Sequence, residues 1–229
     1  MPVLNPADEC QIGTVPLGDA ADVDAAVAAA VAAFPAYSQT RTSERMGLLH
    51  SLKAATERRF EDLAQAMRME MGAPITMARE AQADAAIGHL QGFIGALDAL
   101  VERETLDNGD ILLREPIGVC GLITPWNWPM NQIALKVIPA LATGCCCVLK
   151  PSEHTPISAL IYAEIIDEAG FPPGVFNLVH GDGPTVGAAL SRHQDVGLVS
   201  VNRSTRTGTA VTTDRADEAS PRDFGPCCQ

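Results

Sequence analysis

The sequence predicts an α/β fold in which a parallel sheet carries helices on both faces, preceded by N-terminal helices and a β-hairpin. Three observations in the 229 residues point there. From Gly118 onward, short apolar runs alternate with segments of helical length, the pattern of a doubly wound sheet. Before about residue 100, apolar residues recur at near-helical intervals. Between the two, Asp107-Asn108-Gly109-Asp110 stands as a turn between Glu104-Thr105-Leu106 and Ile111-Leu112-Leu113-Arg114, which reads as a hairpin.

Taken in order, the first hundred residues read as helices. Asp22 suits an N-cap for Val23 to Phe34, with Pro35 closing that helix, and Thr42 or Ser43 could cap a segment running towards Met71, ahead of Gly72 and Pro74. Within it Met46, Leu49, Leu52, Phe60, Leu63 and Met67 form the apolar stripe, and Glu57, Arg58, Arg59, Glu61 and Asp62 the wet face. A third helix spans about Ile75 to Leu100, where His89 reads as a packing residue. After the hairpin come strands at Gly118 to Thr124, Cys145 to Leu149, Val175 to Val179 and Val196 to Val201. Helices fill the gaps at Asn131 to Thr143, Ile157 to Ala169 and Thr185 to Arg192. From Thr207 to Gln229 the composition turns small and charged without periodic apolar residues, and this tail is expected to be disordered. The domain division expected is 1–101 for the helical segment, 102–117 for the hairpin, 118–206 for the sheet core and 207–229 for the tail.

Lys+Arg 16 against Asp+Glu 28 leaves a formal net charge of -12, which repels phosphate backbones and argues against nucleic-acid binding. Met1 to Gln11 lacks a positive start followed by an apolar run, so no secretory signal is visible and a cytoplasmic protein is expected. The alanine-rich stretch Ala25 to Phe34 is too short to span a bilayer, and no membrane segment is expected. The seven cysteines show neither paired metal spacing nor neighbouring histidines, so they read as reduced thiols with no metal site. Cys145, Cys146 and Cys147 read as small hydrophobes in a buried strand, alternating between its two sides.

Two loops carry the chemical information. Thr124-Pro125-Trp126-Asn127-Trp128-Pro129-Met130 packs two Trp, three Pro and an Asn into a run that neither ladder tolerates, the mark of a shaped loop. Lys150-Pro151-Ser152-Glu153-His154-Thr155-Pro156 follows the next apolar strand. Both leave the carboxyl ends of strands, where ligands bind in such sheets. A third run, Gly181-Asp182-Gly183-Pro184-Thr185-Val186-Gly187, has the spacing G-x-G-x-x-x-G, and by itself serves equally as a strand-to-helix turn.

Together with Glu115-Pro116-Ile117-Gly118-Val119 and Gly170-Phe171-Pro172-Pro173-Gly174-Val175-Phe176-Asn177, these motifs closely resemble the N-terminal, cofactor-binding portion of the NAD(P)-dependent aldehyde dehydrogenase superfamily. The resemblance implies a Rossmann-like core and oxidation of an aldehyde to an acid, with hydride transfer to NAD; NADP stays open as an alternative. Ile123, Thr124, Pro125, Trp126, Lys150, Ser152, Glu153, Gly183, Gly187 and Ser204 match cofactor-binding positions. Lys150 would donate to ribose hydroxyls, and Glu153 would accept from the adenosine ribose 2′-OH and disfavour a 2′-phosphate. Asn127 matches the group that stabilises the oxyanion; from the residues alone it could equally cap the following helix. The hairpin matches the start of a bridging element in a family that is usually homo-oligomeric.

The sequence departs from the family's pattern near its end. Arg203 stands where the family has a glycine, so its bulk would crowd the phosphates while its charge attracts them. Ser204 still matches a pyrophosphate-binding serine. No counterpart follows for the general-base glutamate, and neither Cys227 nor Cys228 lies in the setting of the nucleophilic thiol. The expectation is a truncated or frame-shifted chain without turnover of its own, whose aldehyde substrate belongs to the full-length family. A non-catalytic nucleotide-binding module or a non-functional gene remnant are the alternatives.

Overall fold

The computed structural model describes residues 1–202 and Val211, so Arg203, Ser204 and, apart from Val211, the tail expected from Thr207 lie outside the described residues. The chain opens with a hairpin where helices were expected: β1 (Pro2–Leu4) pairs antiparallel with β2 (Gln11–Thr14). Strands this short carry too few residues for an alternating signal. Turn chemistry forms the connection, with Asn5 N–H donating to the Cys10 carbonyl at 2.9 Å and Asp8 Oδ1 accepting from Cys10 N–H at 3.0 Å.

Helix α1 (Ala20–Tyr37) begins earlier than the sequence suggests. Asp19 is the N-cap and accepts from the Ala21 and Asp22 N–H groups; Asp22 closes the box by accepting from Asp19 N–H at 2.9 Å. Pro35 lies inside the helix rather than ending it. The last turn is still closed by Ser38 N–H donating to the Phe34 carbonyl at 2.8 Å, and the Tyr37 hydroxyl donates to the Leu141 carbonyl at 2.9 Å. By length and composition α1 is apolar enough to cross a membrane, yet Val23, Val27, Ala30 and Tyr37 along it are buried in the core.

The segment expected as one helix to Met71 breaks at Arg59 into α2 (Thr42–Arg58) and α3 (Phe60–Met71). Its N-cap position is Arg41, not Thr42 or Ser43, with Glu44 accepting from Arg41 N–H at 2.7 Å. At the break, Arg59 bonds Asp62 of α3 together with Glu164 and Glu168 from later in the chain. The third helix is likewise divided into α4 (Ile75–Met77), a wider π-helical stretch Ala78–Ala83 and α5 (Asp84–Asp98). Buried Gln82 sits in the wide turn and donates to Met71 Sδ at 3.3 Å.

The second hairpin forms as expected from β3 (Arg103–Thr105) and β4 (Ile111–Leu113), turning at Gly109 with φ +85°. The main sheet contains β5 (Val119–Ile123), β6 (Cys146–Lys150), β7 (Phe176–Leu178) and β8 (Val196–Val201) in the parallel order β7-β6-β5-β8. Helix α6 (Pro129–Ala142) connects β5 to β6, and α7 (Pro156–Glu168) connects β6 to β7. The path then reverses across the sheet to β8 through a π-helical turn Gly183–Gly187 and α8 (Ala188–Arg192). Right-handed crossovers in opposite directions put α6 and α7 on one face and α8, packed with α1, on the other. Helices α2, α3 and α5 form a further layer over α6 and α7. Strands β5 and β6 are buried along their whole length, and the core is continuous through both faces.

Candidate functional site

The reversal of strand order lies between β5 and β8, so a crevice opens beyond the carboxyl ends of the sheet. At that end the loop after β5 is tied to β6 by Thr124 N–H donating to the Lys150 carbonyl at 3.2 Å. On its other side, Asn202 N–H donates to the Ile123 carbonyl at 3.4 Å. Ile123 and Thr124 are buried, and the loop then rises: Trp126 is 56% exposed and Asn127 is exposed. Trp128 turns the chain into α6 with φ +61°, and Pro129 occupies the first helical turn, where its missing N–H costs nothing. The capping alternative for Asn127 is not what forms. The N-cap position belongs to Trp128, without a side-chain cap.

Lys150 is fully buried at the end of β6, and its ammonium lies 3.1 Å from Glu153 Oε2. The strand delivers the lysine inward, and the Pro151 turn brings the carboxylate back over it. Ser152 is buried and accepts from His154 N–H at 3.3 Å, which shapes the same turn. The next helix has no cap of its own at Thr155. Glu70 of α3 supplies it, accepting from Ile157 N–H at 2.6 Å and Ser158 N–H at 3.0 Å. Burial pushes the Glu70 carboxyl up to about 7 against the lowering effect of those bonds.

Beyond β7, the three glycines of the third run differ in their reasons for being glycine. A Cβ at Gly181 would lie 2.2 Å from Val186 Cγ2, so packing within the chain excludes it. A Cβ at Gly187 would meet only the Asp182 carbonyl oxygen, at 3.7 Å, an ordinary contact. Gly183 starts the π-helical turn, and Asp182 caps it by accepting from Thr185 N–H at 2.7 Å. Just ahead, both ring nitrogens of His180 are buried with no hydrogen-bond partner among the described residues. Burial, and then the charge of Lys150, depress its basicity and favour the neutral ring. An imidazole offering one donor and one acceptor is thus held beside the Lys150–Glu153 pair.

The structure therefore brings Ile123 to Asn127, Lys150 to Glu153 and Gly183 to Gly187 to one end of the sheet; Ser204 lies outside the described residues. It also adds groups that the sequence does not single out. Lys136 of α6 donates to Ser200 Oγ at 2.5 Å and Asn202 Oδ1 at 3.0 Å, and Asn202 bonds Gln132. Gln132 and Lys136, four apart on a helix whose other residues apart from Asn131 are apolar, were the available signal. His89, read as a packing residue, places Nε2 2.7 Å from Asn131 Oδ1.

Residues 1–222 match the model of the aldehyde dehydrogenase family. The chain is 51% identical over 215 residues to 3-succinoylsemialdehyde-pyridine dehydrogenase from a Pseudomonas species, covering 93% of this chain and 45% of that protein. Among solved structures, it resembles aldehyde dehydrogenase from Bartonella henselae with TM-score 0.93 and 44% identity, over 96% of this chain and 47% of that one. A mutant of aldehyde dehydrogenase C from Pseudomonas syringae, complexed with NAD+ and octanal, gives TM-score 0.93 and 46% identity, over 95% of this chain and 45% of that one. The chain spans about half the length of the relatives it matches. With the match running through the two strand-end loops and the glycine turn, the chain belongs to the aldehyde dehydrogenase family.

Proposed function

We propose that this chain is the NAD-binding portion of an aldehyde dehydrogenase, and that by itself it binds NAD without oxidising aldehydes. The observation that carries the reading is the convergence of the Thr124–Asn127 loop, the Lys150–Glu153 pair and the His180–Gly187 turn at one end of the sheet. The residues suit a dinucleotide: among the described residues, the His180 ring nitrogens have no partner and no contact requires glycine at 187. When bound, NAD supplies the hydride acceptor.

In this reading Lys150 and Glu153 hold the adenosine ribose, Glu153 accepting from its 2′-OH and repelling a 2′-phosphate. Ile123, Thr124, Pro125 and Trp126 line the path towards the reacting centre, with Ser152, Gly183 and Gly187 beside the nucleotide and Ser204 at the pyrophosphate. Asn127 supplies an amide N–H to the oxygen of an aldehyde under attack by a thiolate, where negative charge builds. That thiol is not among the described cysteines near the loop. Cys120, Cys145, Cys146 and Cys147 are buried in the sheet, and Cys145 stands just before β6, at the end away from Asn127. Without a thiol beside Asn127 among the described residues, covalent catalysis has no first step in this reading. The division into 1–101, 102–117, 118–206 and 207–229 belongs to the same reading, as does a role for the hairpin in subunit contact, supported by the exposed Ile111, Leu112 and Leu113.

Calorimetric titration with NAD and NADP, with an assay for NADH formation from a simple aldehyde, tests the reading. Saturable NAD binding with no turnover is the expected result. Turnover would overturn the predicted inactivity, and absence of binding would overturn the cofactor assignment.

A further inference from the structure

Between the end of β6 and the first turn of α7, residues 151–155 form the turn that carries Ser152 and Glu153. Its β6 end is tied to the chain beyond β7 and beyond β5: the Leu149 carbonyl accepts from Val179 N–H at 3.0 Å and the Lys150 carbonyl from Thr124 N–H at 3.2 Å. Inside the turn, Thr155 N–H donates to the Ser152 carbonyl at 3.2 Å. The α7 end is left to other elements, because Thr155 in the N-cap position makes no side-chain cap.

Glu70 of α3 takes over that end. Its Oε2 accepts from Ile157 N–H at 2.6 Å, and its Oε1 accepts from Ser158 N–H at 3.0 Å and from the Ser158 hydroxyl at 2.5 Å. Both Glu70 and Ser158 are buried. The carboxylate does little for its own helix: it lies in the last turn of α3, where the free carbonyls disfavour negative charge, and burial adds to the cost. The anchor is itself fixed, since α3 ends at Gly72 in the left-handed conformation, φ +74°, where a Cβ would lie 2.8 Å from Pro6 Cγ.

On the NAD reading above, we propose that Glu70 is a positioning residue for the cofactor: by capping α7 it sets where the Lys150–Glu153 turn presents its carboxylate to the adenosine ribose. Ribose hydroxyls are recognised by hydrogen bonds that weaken steeply with distance and angle, so the groups that make them need a supporting shell that holds them before the ligand arrives. With the cap in place, the turn is held at both ends. Without it, the turn keeps only its ties at the β6 end and within itself, and ordering its α7 end then counts against binding.

The test titrates the whole chain with NAD and with ADP-ribose, which keeps the adenosine ribose and lacks the nicotinamide, at pH 8, where the Glu70 carboxyl, raised by burial to about 7, is ionised. Glu70→Gln, which retains one acceptor, should weaken both ligands by the same factor, about 2–10-fold, the cost of ordering one side chain on binding. Glu70→Ala should weaken them further. Tyr37→Phe is the control for lost stability: it strands the Leu141 carbonyl towards the amino end of the strands, so the thermal midpoint should fall while both affinities hold. Circular dichroism at the titration temperature checks each fold, and Glu70→Gln decides the matter if Glu70→Ala does not fold. Absence of binding by the native chain would overturn the NAD reading and this role with it. Native binding with unchanged affinity in Glu70→Gln, a loss confined to NAD, or an equal loss in Tyr37→Phe would overturn the role of Glu70 alone.

Discussion

The Glu70 carboxylate of α3 accepts from both the N–H and the hydroxyl of Ser158 in the first turn of α7, a partner 88 residues further along the chain. A helix that lacks a side-chain cap of its own is capped from another helix, and α3 is thereby tied to the element that follows the Lys150–Glu153 turn. Glu70 is buried, so its ionisation is coupled to folding.

Stability should depend on the Glu70 proton. Its folded pKa, about 7, is raised above the ordinary 4.5, so the folded state holds the proton more tightly. That contribution is fully present below about pH 4.5 and is lost as pH rises towards about 7, with a size on the order of 3 kcal/mol. Urea midpoints at pH 5 and pH 7.5 should fall more steeply for the native chain than for Glu70→Gln. Equal slopes would show that Glu70 does not titrate in this range. Glu70→Ala, which strands the Ile157 and Ser158 donors, should cost about 2–4 kcal/mol.

The two glycines around the π-helical turn should separate packing from binding. Gly181→Ala drives a methyl group into Val186 and is expected to lower stability by about 1–3 kcal/mol. Gly187→Ala meets only an ordinary contact, so the thermal midpoint should hold while NAD affinity falls several-fold. Calorimetry alongside thermal melts distinguishes them; intact NAD binding by Gly187→Ala would remove Gly187 from the cofactor site.

His180 should matter to nucleotide binding more than to folding, because its ring nitrogens have no partner among the described residues to lose. His180→Ala should weaken NAD about 2–10-fold, the worth of one ordinary hydrogen bond, with Asn at this position restoring part of the loss. An unchanged Kd would place the ring outside the site.

Glu153→Gln removes a carboxylate 3.1 Å from a fully buried ammonium. With Glu153 partly exposed, the expected cost is about 1–2 kcal/mol, below that of a fully buried pair. In the NAD reading the same change narrows the preference for NAD over NADP. Titration of both nucleotides checks this, and an unchanged ratio would remove Glu153 from cofactor selection.

Much of the sheet half is legible in the amino-acid sequence. Strand and helix alternation after Gly118 is local, set by side chains a few positions apart, and the loops at Pro125 and Lys150 announce themselves by residue types that neither ladder holds. The N-terminal hairpin is not legible there, because three- and four-residue strands leave almost no period. The division at Arg59 is hidden for another reason: the arginine is held partly by Glu164 and Glu168, more than a hundred residues away.

The residues named their family and the order of most elements, since motif chemistry and periodicity are written along the chain. Which groups meet followed from folding. The order β7-β6-β5-β8 sets Cys120 beside Cys145, brings Lys136 to Asn202, and gathers three loops at one end of the sheet. Glu70 reaches Ser158 because α3 packs on α7. Contacts of this kind depend on how elements are arranged in space, which no local spacing encodes.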